Sequence, residues 1–123
     1  MVGRVAWMNE TPLLMSIRDA VLATGRVLLW RCNSGRMRDN TGRWVQFGLG
    51  LGCPDLVGML RECPGLCRAG EPCRCAGRFL AIEVKLPGKS PEPHQEAWHR
   101  AARAAGACVI VAHSVEEALD GLP

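Results

Sequence analysis

Apolar residues recur along this chain at two spacings, one helical and one alternating. Leu13, Leu14, Ile17, Ala20, Val21 and Thr24 share one helical face, which predicts a first helix from about Glu10 to Thr24. Asn9 or Thr11 can cap it, Pro12 is tolerable in a first turn, and Gly25 ends it. Ahead of it, Val2, Val5, Ala6 and Trp7 suit a brief strand or a terminal arm. A second helix is predicted from about His94 to Ala105, with Trp98, Ala101, Ala102 and Ala105 as its apolar stripe. Gln95 lies on the same side near its start and faces inward, and Gly106 stops the helix. Ser114-Val115-Glu116-Glu117 is a capping box that opens a short last helix ending near Gly121.

The strands read differently. Val27 to Cys32 is a strand with a buried beginning, and Trp44 to Phe47 is a short second one. The polar stretch between them suggests a hairpin with an arginine-rich, mobile connection containing Arg36, Arg38 and Arg43. Those arginines suit a solvated loop or a flap that contacts phosphates. Gly48 to Gly52 lacks the lysine and Ser/Thr of a phosphate loop, so its glycines are expected to allow close backbone packing before the strand opened by Asp55. Arg78 to Leu86 is the strongest strand. Leu80, Ile82, Val84 and Leu86 share one face, suited to packing under a helix, while Phe79, Ala81, Glu83 and Lys85 share the other. Cys108 to Ala112 is fully apolar and is expected to be central. The order predicts an α/β sandwich with a mixed sheet, in which the Glu83 strand, the Gln95 helix and the Cys108 strand form a βαβ unit with a right-handed crossover.

Residues 63–77 break this pattern. Cys63, Cys67, Cys73 and Cys75 fall there without an apolar period, as an insertion between two strands. Four thiols can hold one tetrahedral zinc ion, although these spacings are not the common paired C-x₂-C kind, and free surface thiols are the alternative.

Bulk properties narrow the classes. The chain has 123 residues and is 48% apolar, enough for one domain with a core of its own. Its net charge of +3 permits a polyanionic partner without demanding one. No apolar run approaches the roughly 20 residues of a membrane span, and the start lacks a secretory signal, so no membrane partner and a cytoplasmic location are expected. Seven cysteines in a reducing compartment suit thiols or metal ligands. No C-x-x-C stands near a helix start, which argues against a cysteine-based redox protein. His94 and His99 are five apart and His113 ends a strand, so packing or surface roles are expected for all three. The tryptophans are expected in the core or at an interface, and Trp44 can instead stack on a base.

Asp55, Glu83 and Lys85 then stand out as two acids and a lysine at strand ends. Phosphodiester hydrolysis needs an activated water and relief of transition-state charge, and hard divalent cations bound by oxygen do both. Asp55, Glu83 and the Val84 carbonyl can bind such a cation, and Glu10 can complete the shell from the first helix; as a plain alternative, Glu10 is an acid at a helix start. Lys85 can orient or deprotonate the water, and Gln95 can hold that water or Lys85.

The pattern Gly52-x-Pro54-Asp55-Leu56, Ile82-Glu83-Val84-Lys85, Gln95-x-x-Trp98 resembles the PD-(D/E)XK nucleases, and within them the virus-type replication-repair nuclease (VRR-NUC) domain. Glu10, the run Trp30-Arg31-Cys32-Asn33-Ser34-Gly35 and Gly106 agree, so the resemblance spans Asn9 to Leu119. It implies a restriction-endonuclease-like mixed sheet flanked by helices and Mg²⁺- or Mn²⁺-dependent DNA cleavage. It also implies catalytic roles for Asp55, Glu83, Lys85, Gln95 and Glu10. Stand-alone, phage-type members are homodimers that act on branched DNA such as four-way (Holliday) junctions, and the domain also occurs in a Fanconi-associated DNA repair nuclease. Arg31, Asn33, Arg36, Arg38, Arg43 and Lys89 are the candidate DNA contacts. Cys53 beside the key aspartate and the four-cysteine insertion depart from the pattern; the insertion suits a zinc staple or a DNA-facing projection. The alternative function is a non-catalytic, zinc-stabilised nucleic-acid-binding module.

Overall fold

Leu80, Ile82 and Val84 face one side of a strand, Ala81 and Glu83 the other, and helices cover both sides. The computed structural model describes residues 2–63, 65, 71–72 and 75–123, apart from the side chains of residues 2–9. In chain order the elements are α1 (Val2–Ala23), β1 (Val27–Arg31), β2 (Gly35–Arg38), β3 (Trp44–Phe47), β4 (Leu56–Arg61), β5 (Gly77–Val84), α2 (Pro93–Ala104), β6 (Cys108–Ala112) and α3 (Val115–Asp120). The protein is mixed α/β. Its main sheet runs β1-β4-β5-β6, antiparallel at the first two junctions and parallel between β5 and β6. The β5–α2–β6 stretch is the expected βαβ unit.

The larger core lies on the α1 and α3 side. Leu14, Ile17 and Val21 of α1 pack on Leu56, Leu60, Leu80, Ile82 and Val84, and Ala118 of α3 closes the end near Ala112. The smaller core lies under α2, where Trp98 and Ala102 cover Ala81, Val109 and Val57. Because α2 spans only this part of the sheet, Leu28, Trp30, Met59 and Phe79 remain exposed on the same face.

Several expectations change. Residues 2–8 are helical, neither strand nor arm, so α1 begins well before Glu10 and Pro12 falls inside it. Proline there removes one helical hydrogen bond, and buried Leu14, Ile17 and Val21 hold the helix to the sheet regardless. Trp44–Phe47 does not pair with β1. It pairs with Gly35–Arg38, so β2 and β3 form a separate ribbon and Arg36 and Arg38 are strand residues, not loop residues. Asp39 builds the tip: its Oδ1 accepts the Thr41 hydroxyl at 2.6 Å and the Thr41 and Arg43 amides at 2.9 and 3.0 Å. β6 lies at the edge of the sheet, not at its centre. It is apolar because helices cover both its faces, with Ile110 and Ala112 in one core and Val109 in the other.

The glycines before β4 do allow close packing. Gly52 is buried with φ +88°, and a Cβ there would collide with the His94 carbonyl oxygen. This seats the 48–52 loop on the start of α2.

Candidate active site

The β4–β5 register brings the acids together. Leu56 pairs with Ile82, so Asp55, one residue before, comes opposite Glu83, one residue after. Asp55 is tied on both sides: its backbone carbonyl accepts the Cys32 amide at 2.7 Å, and its Oδ2 accepts the Val84 amide at 2.8 Å. Glu83 is 2% exposed, on the α2 face beside Ala81. Lys85 follows the end of β5, half-buried, with its amide donating to the Ala112 carbonyl at 3.0 Å.

The charges of four predicted residues act on one another. Burial pushes the Glu83 carboxyl up to about 8; a hydrogen-bonding contact with Asp55 and the Asp55 charge push the same way, Glu10 adds to this, and Lys85 opposes it. Glu10 is also raised, first by burial and then by Asp55, with Lys85 again opposing. Glu10 and Asp55 line a cavity of about 110 Å³ together with Thr11, Leu14 and Arg31. The resulting centre is acidic, partly dry and short of positive charge.

Gln95 stands near the start of α2, half-buried. Its Oε1 accepts the Glu92 amide at 2.8 Å, which caps the start of α2, so the carbonyl end is committed there. It still borders the site: Gln95, Asp55, Cys32, Cys53, Ser34 and His94 line a neighbouring cleft of about 260 Å³. Asp55 therefore lies between two openings.

His99 belongs to this centre, and the sequence reading left it out. It is 2% exposed, and its Nε2 lies 3.3 Å from Glu83 Oε1. Burial lowers the His99 pKa, with Arg103 adding to the effect, just as burial raises that of Glu83. Both groups therefore favour their uncharged forms, and the contact is a hydrogen bond rather than an ion pair. Helical spacing from Trp98 and Ala102 was the available signal, since it turns position 99 toward β5. Ala101 and Ala105, assigned to the apolar stripe, are exposed. His113 does serve at the surface: Nδ1 meets Glu117 Oε2 at 2.9 Å and Nε2 meets the Lys89 carbonyl at 2.7 Å.

Arg36, Arg38 and Arg43 are exposed on the ribbon, as are Arg31, Asn33 and Lys89 elsewhere. The Arg36 and Arg38 guanidinium carbons lie 4.9 and 4.7 Å from the Trp44 ring centre, giving an exposed aromatic with two cations over it. Of the four candidate zinc thiols, Cys67 and Cys73 lie outside the described residues. Cys63 and Cys75 bring their sulfurs to 3.6 Å, near the ~3.8 Å between two thiolates on a tetrahedral zinc.

Among the described residues, no three side chains of His, Cys, Asp or Glu form a finished metal shell. The donor set nevertheless suits a hard dication: the carboxylates of Asp55, Glu83 and Glu10, with Glu83 and Glu10 raised in proton affinity, leave other positions to water and substrate oxygens, as Mg²⁺ commonly accepts. Among the described residues no helix is long and apolar enough to cross a membrane. Comparison of the chain with protein-family models, with curated proteins and with solved structures gave no match.

Proposed function

We propose that this chain is a Mg²⁺- or Mn²⁺-dependent DNA endonuclease of the PD-(D/E)XK type, with a restriction-endonuclease-like fold and a VRR-NUC pattern of site residues. The observation that carries the reading is the meeting of Asp55, Glu83 and Lys85 at adjacent strand ends, where burial first, and then the neighbouring acids, hold the Glu83 proton up to about 8. A dication held by Asp55, Glu83, Glu10 and the Val84 carbonyl would neutralise phosphate charge and acidify a water.

The chain's own groups supply the rest. Glu83 would hold the dication as a carboxylate, its proton released to solvent, and His99 fixes the direction of its carboxyl. Lys85 takes or steadies the proton of the attacking water. Arg36, Arg38 and Arg43 grip phosphates beside the cleft, and Trp44 offers a face for a base. The preferred substrate is branched DNA, including four-way junctions, cut by a homodimer. The exposed sheet face of Leu28, Trp30, Met59 and Phe79 supports a second copy as its cover.

A cleavage panel of four-way junction, flap and duplex DNA with Mg²⁺, Mn²⁺ or EDTA tests this. Cleavage should need metal and vanish in Asp55→Ala and Lys85→Ala, both folded by circular dichroism. Metal-dependent cleavage retained in either variant sinks the assignment. The spacing of Cys63 and Cys75 favours the second reading, a zinc-stabilised nucleic-acid-binding module. DNA binding without products under every metal would select it.

A further inference from the structure

The neck of the β2–β3 ribbon holds two thiols that the cleavage chemistry leaves unused. Cys32 follows β1 and Cys53 stands two residues before Asp55, so residues 33–52 leave and return between them. Their sulfurs are 3.1 Å apart. Main-chain and side-chain bonds hold the two strands of the neck together: Cys32 donates its amide to the Asp55 carbonyl at 2.7 Å, and Leu49 donates its amide to Ser34 Oγ at 3.2 Å. Both cysteines are half-buried and line the same cleft as Asp55 and Gln95, so a small oxidant in that cleft reaches them.

The spacing distinguishes the uses of such a pair. Two thiolates on one tetrahedral zinc stand about 3.8 Å apart. These sulfurs are closer than that, and among the described residues no third metal-ligating side chain joins them. A covalent bond of about 2.05 Å is one ångström away. That movement falls on a segment two residues from Asp55, whose carbonyl is bonded to Cys32 itself.

We propose that Cys32 and Cys53 form a reversible disulfide that clamps the ribbon neck and displaces Asp55, so that peroxide oxidation turns the carboxylate site off. The inference rests on the proposed function for what is switched, and on the geometry of the neck alone for the bond. Hydrogen peroxide oxidises one thiol: its O–O bond breaks, an S–O bond forms, and one oxygen leaves as water. The second sulfur then attacks the resulting sulfenic acid, the S–S bond forms, the S–O bond breaks, and the hydroxyl leaves as water with the second thiol's proton. Two thiols and one peroxide give one disulfide and two waters, with two electrons passing from sulfur to oxygen. A dithiol reductant reverses the bond by exchange.

The test treats the full chain with hydrogen peroxide, alkylates the remaining thiols and maps linked peptides by mass spectrometry. The expected product joins Cys32 to Cys53. The thermal midpoint should rise by several degrees, because the bond closes a loop in the unfolded chain. Mn²⁺ affinity should fall at least tenfold, and dithiothreitol should restore all three readings. Cys53→Ser, or Cys32→Ser if the first does not fold, should bind Mn²⁺ and ignore peroxide. Cys53 still open to alkylation, linkage of either residue to another cysteine, or a mapped Cys32–Cys53 bond with unchanged Mn²⁺ affinity would each overturn the proposal. A reduced chain that binds no Mn²⁺ yet yields the linked peptide sinks the nuclease reading and leaves the disulfide standing.

Discussion

The carboxylate centre and the arginine ribbon carry opposite charge in opposite settings. Glu83 and His99 are each 2% exposed, between the sheet and α2, whereas every residue from Asn33 to Leu51 is exposed. Charge in the first region is costly, so its positions are set by packing and its proton affinities shift. In the second it is inexpensive; the ladder, the Asp39 turn and the stacking on Trp44 suffice to order it. Substitutions in the centre should therefore change chemistry and stability together. Substitutions in the ribbon should change binding alone.

The largest effect should come from Lys85→Met, which removes a proton-handling charge at a half-buried strand end. Cleavage is expected to fall about 10²–10⁴-fold at saturating DNA, with DNA affinity near wild type in a filter-binding assay. Equal losses in both measurements would erase the contrast between the regions.

Next is His99→Leu, which fills the space and frees Glu83 Oε1 from its partner. Mn²⁺ affinity by titration calorimetry should weaken about 10–100-fold, as for other groups that orient a metal ligand. A change in thermal midpoint with unchanged affinity would make His99 a packing residue only.

The pH dependence of stability tests the dry centre directly. Folded Glu83 keeps its proton up to about 8, whereas the unfolded chain releases it near 4.5. The folded state therefore binds more protons between these values. Its stabilisation is complete below about 4.5 and is lost as pH rises through about 8, by at most about 1.4 kcal/mol per pH unit. His99 has the opposite sign, because its lowered pKa costs stability as pH falls below 6.5, while the raised His113 acts in the same direction as Glu83. Subtracting the Glu83→Gln melting curves from wild type, in EDTA, isolates the carboxyl. The difference should grow between pH 6.5 and 8; a flat difference would mean that Glu83 is ionised throughout.

The smallest effect belongs to the ribbon. Arg36→Ala should leave the thermal midpoint within error and weaken DNA binding a few-fold. The slope of log affinity against log salt should become shallower by about one. An unchanged slope would place DNA elsewhere on the surface.

How much of this was readable beforehand follows the same divide. Alternation along Phe79–Lys85 was enough to separate the core residues Leu80, Ile82 and Val84 from Glu83, because successive side chains of a strand point to opposite faces. The ribbon's first strand was missed because Gly35-Arg36-Met37-Arg38 has no apolar face to declare it. The edge position of β6 was also out of reach, since strand order is a property of the assembled sheet and β6 owes its apolar run to the helices on its two sides. Pro12 misled for a related reason: its local rule places it near a helix start, but packing of Leu14, Ile17 and Val21 sustains a longer helix. His99 and the Cys32–Cys53 pair depend on contacts between segments far apart in the chain, which periodicity does not encode.

The bond from the Val84 amide to Asp55 Oδ2 has one more consequence. A side-chain oxygen there takes a backbone donor at the end of the β4–β5 ladder, so one amide senses a functional carboxylate through a single hydrogen. In a ¹⁵N-labelled sample the Val84 resonance becomes a built-in reporter. Its shift and solvent exchange would follow Asp55 whenever a cation, a proton or a clamped neck draws that carboxylate away, with no substrate in the tube.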